Sequence, residues 1–432
     1  MSPPAGTDLL GRSVRLTEPK GIKVSEFPRI ISVDDHIVEP PNLWQDRLPA
    51  KYRDRGPRVE RHYGSLEWNT GGKMDFVDDN DKSNPKSRWC DHWVYDDLRW
   101  PLPAGFASVG PVRELEAMTP VSYDEILPGC YDQTARLADM DLNHVEASLC
   151  FPTVPRFCGQ TFLEREDKEL ALLCVKAYND WMIDEWCGGP GRGRLIPLTL
   201  IPLWDAELAA AEVRRCADKG SHAMASSENP AALGLPSIHS GHWDPLWAAC
   251  QETETVVNMH IGSSSKLTTT SADAPILVWV ALTAQNAMAA LVDWLSSGLL
   301  ASFPTLRIAL SEGQVGWMPF MLERIDSAWE RSASYDKTAR ERIPERPSSY
   351  IPGRVYGCIF DDVQGLLNRD YVGMGQIMFE TDYPHADSFF PHSIKVAEKL
   401  IQAGNLNDHE TWQFLRGNAI ECYNLGRYGI NK

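Results

Sequence analysis

The chain has 432 residues, 43% of them hydrophobic, enough for two ordinary domains or one large α/β barrel with insertions. Lys and Arg total 42 against 59 Asp and Glu, and the resulting charge of −17 makes nucleic acid and anionic membrane poor partners. The N-terminus carries no apolar signal core, and no later stretch reads as the roughly 20 uncharged apolar residues of a membrane span, so a cytoplasmic protein is expected. The 10 cysteines include no CxxC pair, and several sit in apolar runs (Cys150, Cys174, Cys250, Cys358), as reduced core thiols do. The 15 tryptophans suit aromatic-lined pockets or an oligomer interface.

Short β-rich runs alternate with amphipathic segments, and each run ends in polar or Gly/Pro residues. Strands are predicted over 29–38, 146–151, 195–201, more weakly 221–225, then 256–262, 306–311, 355–360 and 377–382. Helices are predicted over 168–185, 206–219, 244–253, 285–303 and 319–335. Eight strands with intervening helices predict an α/β chain, a (β/α)8 TIM barrel with a long insertion after the first strand. A doubly wound sheet is disfavoured because no Gly-rich phosphate turn follows that strand. Residues 1–25 read as a tail and 26–432 as one barrel domain. Within it, 45–130 breaks the alternation, being polar and rich in Trp, Gly, Pro and Asp. Its position predicts a cap over the barrel mouth, or an arm to another subunit. Disorder is the weaker option there, because Trp89, Trp93 and Trp100 are costly to leave in water.

Asp34-Asp35-His36 ends the first run, His260 the fifth and Asp382 the last. Asp34 and His36 are two apart on a strand, so they share a face. Imidazole and carboxylate together suit a divalent Zn, Mn or Fe ion. Carboxylates gathered in one barrel mouth repel, and one would hold a proton unless a cation sat between them. Each piece alone is weak, since D-x-H is frequent by chance and a lone strand-end His is more often structural. The joint placement at strand ends carries the reading.

Other polar residues divide between function and structure. Glu39 either orients a ligand or caps a loop. Glu228 and Asn229 end the fourth strand and should face the mouth, where they would contact substrate; helix capping is the other role open to Asn229. Ser263-Ser264-Ser265-Lys266, after His260, would offer hydroxyls and a cation to a substrate carboxylate, or serve only as a turn. Asp361 and Asp362 end the seventh strand. His239 and His242 have ligand-like spacing, yet surface or packing roles suit them better. His62, His144 and His409 lack partners at useful spacing. No G-x-S-x-G elbow, P-loop or strand-linked GxGxxG is present.

Val33-Asp34-Asp35-His36 with Glu39-Pro40-Pro41, Met259-His260, Ser311-Glu312-Gly313, Glu380-Thr381-Asp382-Tyr383-Pro384-His385 and Gly417-Asn418-Ala419 resemble the amidohydrolase-related superfamily. The likeness is to its aminocarboxymuconate-semialdehyde decarboxylase branch and runs from about residue 29 to about 426. It implies a metal-bearing TIM barrel that hydrolyses small molecules or decarboxylates aromatic and related acids with no organic cofactor. It also implies that Asp34 and His36 are the first-strand ligand pair, His260 the fifth-strand ligand and Asp382 the eighth-strand one. Two positions depart from the branch. The first pair is D-x-H where HxH or ExH is usual, and Glu312 stands where a water-activating His is common. A carboxylate there can act as a general base or ligate a second metal. With Asp34, Glu312, Asp382, His36, His260 and His385, the site resembles a dinuclear Fe or Mn centre. Such a pair serves O2-dependent hydroxylation in 2-aminoisobutyric acid hydroxylase, a complex of two amidohydrolase-like subunits.

The expectation is therefore a metal-dependent hydrolase or decarboxylase of a small carboxylate or amide. Its catalytic residues would be Glu312 and Asp382, with Glu39, Glu228, Asn229 and Ser263 contacting substrate. The alternatives are a dinuclear Fe/Mn hydroxylase subunit acting on a small amino or carboxylic acid, its second site completed by Glu312 with His385 or Glu39, and a barrel subunit that has lost its chemistry. The partners expected are a small-molecule substrate and a similar barrel in a homo- or hetero-oligomer.

Overall fold

The computed structural model of the chain describes residues 27–69 and 73–431, so the predicted tail lies outside the described residues. The first strand, β1 (Ile30–Ile37), is buried at every position. A strand covered on both faces normally reads as an unbroken apolar run. Here Ser32, Asp34, Asp35 and His36 interrupt it, all at 2% exposure or less, and each must therefore be paired or used.

The segment read from sequence only as a cap folds into a sheet. Strands β2 (Arg58–Asn69), β3 (Lys73–Asp78), β4 (Arg88–Tyr95) and β5 (Leu98–Pro101) pair antiparallel in the order β3-β2-β4-β5. Charged residues on both faces of β2 hid its alternation from the sequence reading. Trp93 and Trp100 are buried, as expected, but Trp89 is 56% exposed. Its ring is shielded by Tyr63, edge-on at 5.6 Å, and by the Lys82 ammonium, which lowers the cost of leaving it in water.

Seven further strands complete the parallel part: β6 (Val145–Pro152), β7 (Leu195–Ile196), β8 (Ala223–Ser226), β9 (Val256–His260), β10 (Ile308–Ser311), β11 (Val355–Ile359) and β12 (Ile377–Phe379). They form two parallel sheets with β1, in the orders β1-β6-β7 and β12-β11-β10-β9-β8. At one junction Thr199 bridges Met224 in parallel sense. At the other, the Asp382 amide donates to the Asp34 carbonyl (3.0 Å) and the His36 amide to the Tyr383 carbonyl (2.6 Å).

Amphipathic helices cover the sheets. Lys168–Trp181 starts at Asp167 and Ala206–Asp218 at Asp205, each N-cap carboxylate accepting backbone N–H groups of the first turn. Ala209, Ala210, Val213 and Cys216 recur at helical spacing and are buried. All ten cysteines are buried and free of disulfides. One expectation needs correction. The helical stretch Ile276–Ser297, 22 residues containing an 18-residue window of mean hydropathy 1.5, is long and apolar enough to cross a membrane. Its second half packs Ala287, Ala290, Leu291, Trp294 and Leu295 into the core, whereas Ile276, Leu277 and Val280 are exposed.

Candidate metal centre

The ends of β1, β9, β10 and β12 bring together all six residues read as ligands. His36 Nε2 lies 3.6 Å from Asp34 Oδ1 and 3.2 Å from Asp382 Oδ1. His260 Nε2 lies 3.5 Å from Asp34 Oδ2 and 3.2 Å from Glu312 Oε2. His385 Nδ1 is 3.2 Å from Asp382 Oδ1, and its ring stacks on His36 at 3.5 Å between centroids. Glu312 (φ +57°) and Asp382 (φ +50°) turn into the left-handed region as their strands end. Non-glycine residues hold that conformation at a cost, and it clusters where side chains are aimed for use.

These contacts are close without being hydrogen bonds. Both oxygens of Asp34, Nε2 of His36 and of His260, and Oδ1 of Asp382 are buried with no hydrogen-bond partner. Buried polar atoms of this kind are rare unless something else satisfies them. A divalent cation would do so, and mixed imidazole and carboxylate donors fit one. Tautomer control supports this, because the backbone carbonyl of Ile261 accepts from His260 Nδ1 at 2.6 Å and leaves Nε2 facing the cluster.

Charge in the cluster is held under tension. Burial, then Glu380, Asp382 and Glu312, push the Asp34 carboxyl well above its ordinary range. Burial and Asp382 do the same to Glu312. Burial keeps His36 well below its usual pKa and takes His260 down to about 4, so both imidazoles are neutral at neutral pH, the form in which they could ligate an ion. For Asp382, burial acts upward but is outweighed by His385 and His36, and its carboxylate stays ionised.

A polar scaffold beneath the cluster escaped the sequence reading. Asp35 points away from its neighbours and accepts from Ser32 Oγ (2.9 Å), Thr381 Oγ1 (2.6 Å), the Tyr383 amide (3.1 Å) and Ser148 Oγ. Buried Arg136 donates to the His36 carbonyl (2.6 Å) and lies 4.2 Å from the Tyr383 ring. Glu380 accepts from the Glu312 amide (3.2 Å) and the Cys358 thiol, and burial raises its carboxyl to about 8. Alternation places Asp35 opposite to its two neighbours, and that signal was available; nothing in the sequence joined Cys358 or Arg136 to the site.

Aromatic rings wall the cluster. Phe157 stacks on His260 at 4.1 Å. Phe106, from the inserted segment, approaches His385 at 5.1 Å and is itself stacked on Trp100. Arg113 of the same segment donates to the carbonyls of Ser388 and Phe390, both at 3.0 Å. The inserted segment and the cluster are thus joined through the loop that carries His385.

The four residues read as substrate contacts have polar atoms engaged within the protein. Both Glu39 oxygens accept backbone amides, Thr153 (3.1 Å) and Val154 (2.9 Å), so it ties the end of β1 to the end of β6. Asn229 caps the turn Pro230–Leu233 through Ala232 N, which was its structural alternative. Ser263 Oγ accepts from the Glu228 amide at 2.8 Å. Glu228 Oε1 gathers Gly262, Ser264 and Asn286, leaving Oε2 as the one buried oxygen of this group without a partner. Asp362 caps Val363–Leu367, and His239 pairs with Asp293 on the surface.

Parallel strands whose ends converge histidines and carboxylates with unsatisfied buried atoms define a metal-binding enzyme of the hydrolase or carboxy-lyase kind. The amidohydrolase family model matches residues 124–425, and the chain belongs to that family. Its fold is similar to an amidohydrolase from Mycobacterium avium subsp. paratuberculosis K-10, at 19% identity over 92% of this chain and 99% of that one, with a TM-score of 0.65. It is also similar to 5-carboxyvanillate decarboxylase from Novosphingobium aromaticivorans, a structure with manganese and 4-hydroxy-3-methoxy-5-nitrobenzoic acid (15% identity, 92% and 96% covered, TM-score 0.60). A third likeness is 2,6-dihydroxybenzoate decarboxylase from Rhizobium (16% identity, 92% and 99% covered, TM-score 0.57). No curated protein matches the chain.

Proposed function

We propose that the chain is a metal-dependent decarboxylase of a small, flat carboxylic acid. The observation that carries this is the set of buried, unpartnered atoms on Asp34, His36, His260 and Asp382 at neighbouring strand ends. In this reading the eight parallel strands close into one β/α barrel through the Thr199–Met224 and Asp382–Asp34 junctions, with residues 45–130 as its cap. The manganese-containing decarboxylase of like fold supports the choice of ion and reaction.

Asp34, His36, His260 and Asp382 would hold the ion, with His385 beside them. Once bound, a divalent ion offsets the clustered negative charge and polarises substrate oxygens. The chain supplies the rest. Phe157 and Phe106 would exclude water and pack against a planar acid. Glu312 is the least buried member, with an 18% exposed side chain, and burial and Asp382 favour its protonated form. In this reading it would deliver a proton to the carbon that loses CO2.

Asp382→Ala tests the reading: the strand-end ion and CO2 release from hydroxybenzoate-type acids should be lost together. A fully active, metal-free variant would sink it. A hydrolase of a small amide would use the same centre. No comparison supports the hydroxylase alternative, and close to two redox metals per chain with O2 consumption would be needed to revive it. Assembly with a second barrel and a cytoplasmic setting complete the proposal.

A further inference from the structure

A second group of metal-ligating side chains lies on the inserted sheet. Glu60 and His92 are directly opposite in the β2–β4 pairing, and His62, two residues beyond Glu60, shares their face. One ligand atom from each of Glu60, His62 and His92 falls within 4.8 Å of the others. The imidazoles of His62 and His92 are 4.5 Å apart between centroids.

His92 is the telling residue. It is fully buried, and neither ring nitrogen has a hydrogen-bond partner among the described residues. A strand position facing a core would take an apolar side chain unless the imidazole had something to bind. His62 Nε2 hydrogen-bonds Glu60 Oε2 (3.2 Å), a contact that an ion between the two would replace, and Nδ1 lies 3.6 Å from the Asp78 carboxylate. The other oxygens of both carboxylates are taken by guanidinium groups, Arg58 on Glu60 (2.8 Å) and Arg99 on Asp78 (2.7 Å). Those pairs hold the carboxylates in place and offset their charge, so affinity would rest on the two imidazoles. Nitrogen donors of that kind select zinc-class ions over magnesium or calcium.

We propose that Glu60, His62 and His92 bind a divalent transition ion, Zn2+ being the probe, that cross-links β2 to β4 apart from the strand-end centre. The full-length protein, stripped with chelator, reloaded with Zn2+ and desalted, should lose about one ion per chain on His62→Asn or Glu60→Gln. Asp382→Ala, which empties the other centre, should retain the sheet ion. Co2+ loaded into Asp382→Ala should give visible absorption bands that His62→Asn removes. Wild-type Zn2+ content in both His62→Asn and Glu60→Gln overturns the proposal, as does Asp382→Ala protein that holds no ion. His92→Asn is the harsher variant because His92 is buried; His62 is about one-third exposed and decides the test if His92→Asn fails to fold.

Discussion

Removing the Asp35 carboxylate should loosen the seam where β1 meets β6 and the segment after β12. Its two oxygens collect three hydroxyls and one backbone amide, from β1 (Ser32), β6 (Ser148) and the segment after β12 (Thr381, Tyr383). In Asp35→Ala the hydroxyls can turn toward other acceptors, each forfeiting about 0.5–1.5 kcal/mol of net hydrogen bonding. The Tyr383 amide cannot turn, and a stranded buried donor costs about 1–3 kcal/mol. Release of the buried carboxylate from its desolvation offsets part of this, and its loss also removes one of the negative charges that steady buried Arg136. The expected balance is a loss of about 3–5 kcal/mol, as when one partner of a buried charged network is removed. Asp35→Asn keeps the volume and one acceptor and should lose about 1–3 kcal/mol. Urea unfolding followed by tryptophan fluorescence reads both, and metal content should fall further in Ala than in Asn, since Thr381 and Tyr383 flank Asp382. A change of under about 1 kcal/mol in Asp35→Ala would refute the reasoning, because a surface substitution would do as much.

Three other changes probe separate parts. Burial raises the Glu39 carboxyl to about 8, so the folded state holds a proton that the unfolded chain releases near its ordinary pKa of 4.5. Its contribution is therefore full below that value and lost as pH climbs toward 8; Glu39→Gln should flatten this part of the stability–pH curve, and an unchanged slope counts against the assignment. Phe157→Ala removes the ring stacked on His260 and should weaken apparent substrate binding about tenfold while bound metal stays at the wild-type level; lost metal would show that the ring instead supports the ligand set. Leu277, 76% exposed, should tolerate Leu277→Glu within about 0.5 kcal/mol; a thermal scan showing a large loss would mean that this half of the helix is covered.

Where the sequence carried strong periodicity, its reading and the structure agree. The parallel strands lie where apolar spacing put them, as do the helices read over 168–185 and 206–219, observed as 168–181 and 206–218. The third strand shrinks to Leu195–Ile196 because Pro197 removes a ladder donor at once. The residues that converge at the strand ends were legible because strand ends of parallel sheets aim side chains at a common point. Glu39 and Ser263 misled for a related reason: polar residues beside such a site also serve to stitch its loops, and residue type does not tell a substrate contact from a backbone clamp. The inserted sheet was hidden because its strands carry charge on both faces. His62, read as unpartnered, comes beside His92 through the non-sequential β2–β4 pairing that sequence spacing does not reveal.

The junction between β1 and the segment after β12 ties the assembly of the centre to the completion of the chain. Thr381 donates to Ser32 across 349 residues, and the same seam places Asp382 against Asp34 and His36. Closing so long a loop is entropically costly and is repaid only when the strands between are in place. A nascent or truncated chain therefore presents Asp34 and His36 without their eighth-strand partner. With the proposed centre, metal capture would be a late event, one that marks a finished protein and leaves unfinished ones without a tight hold on the cell's ions.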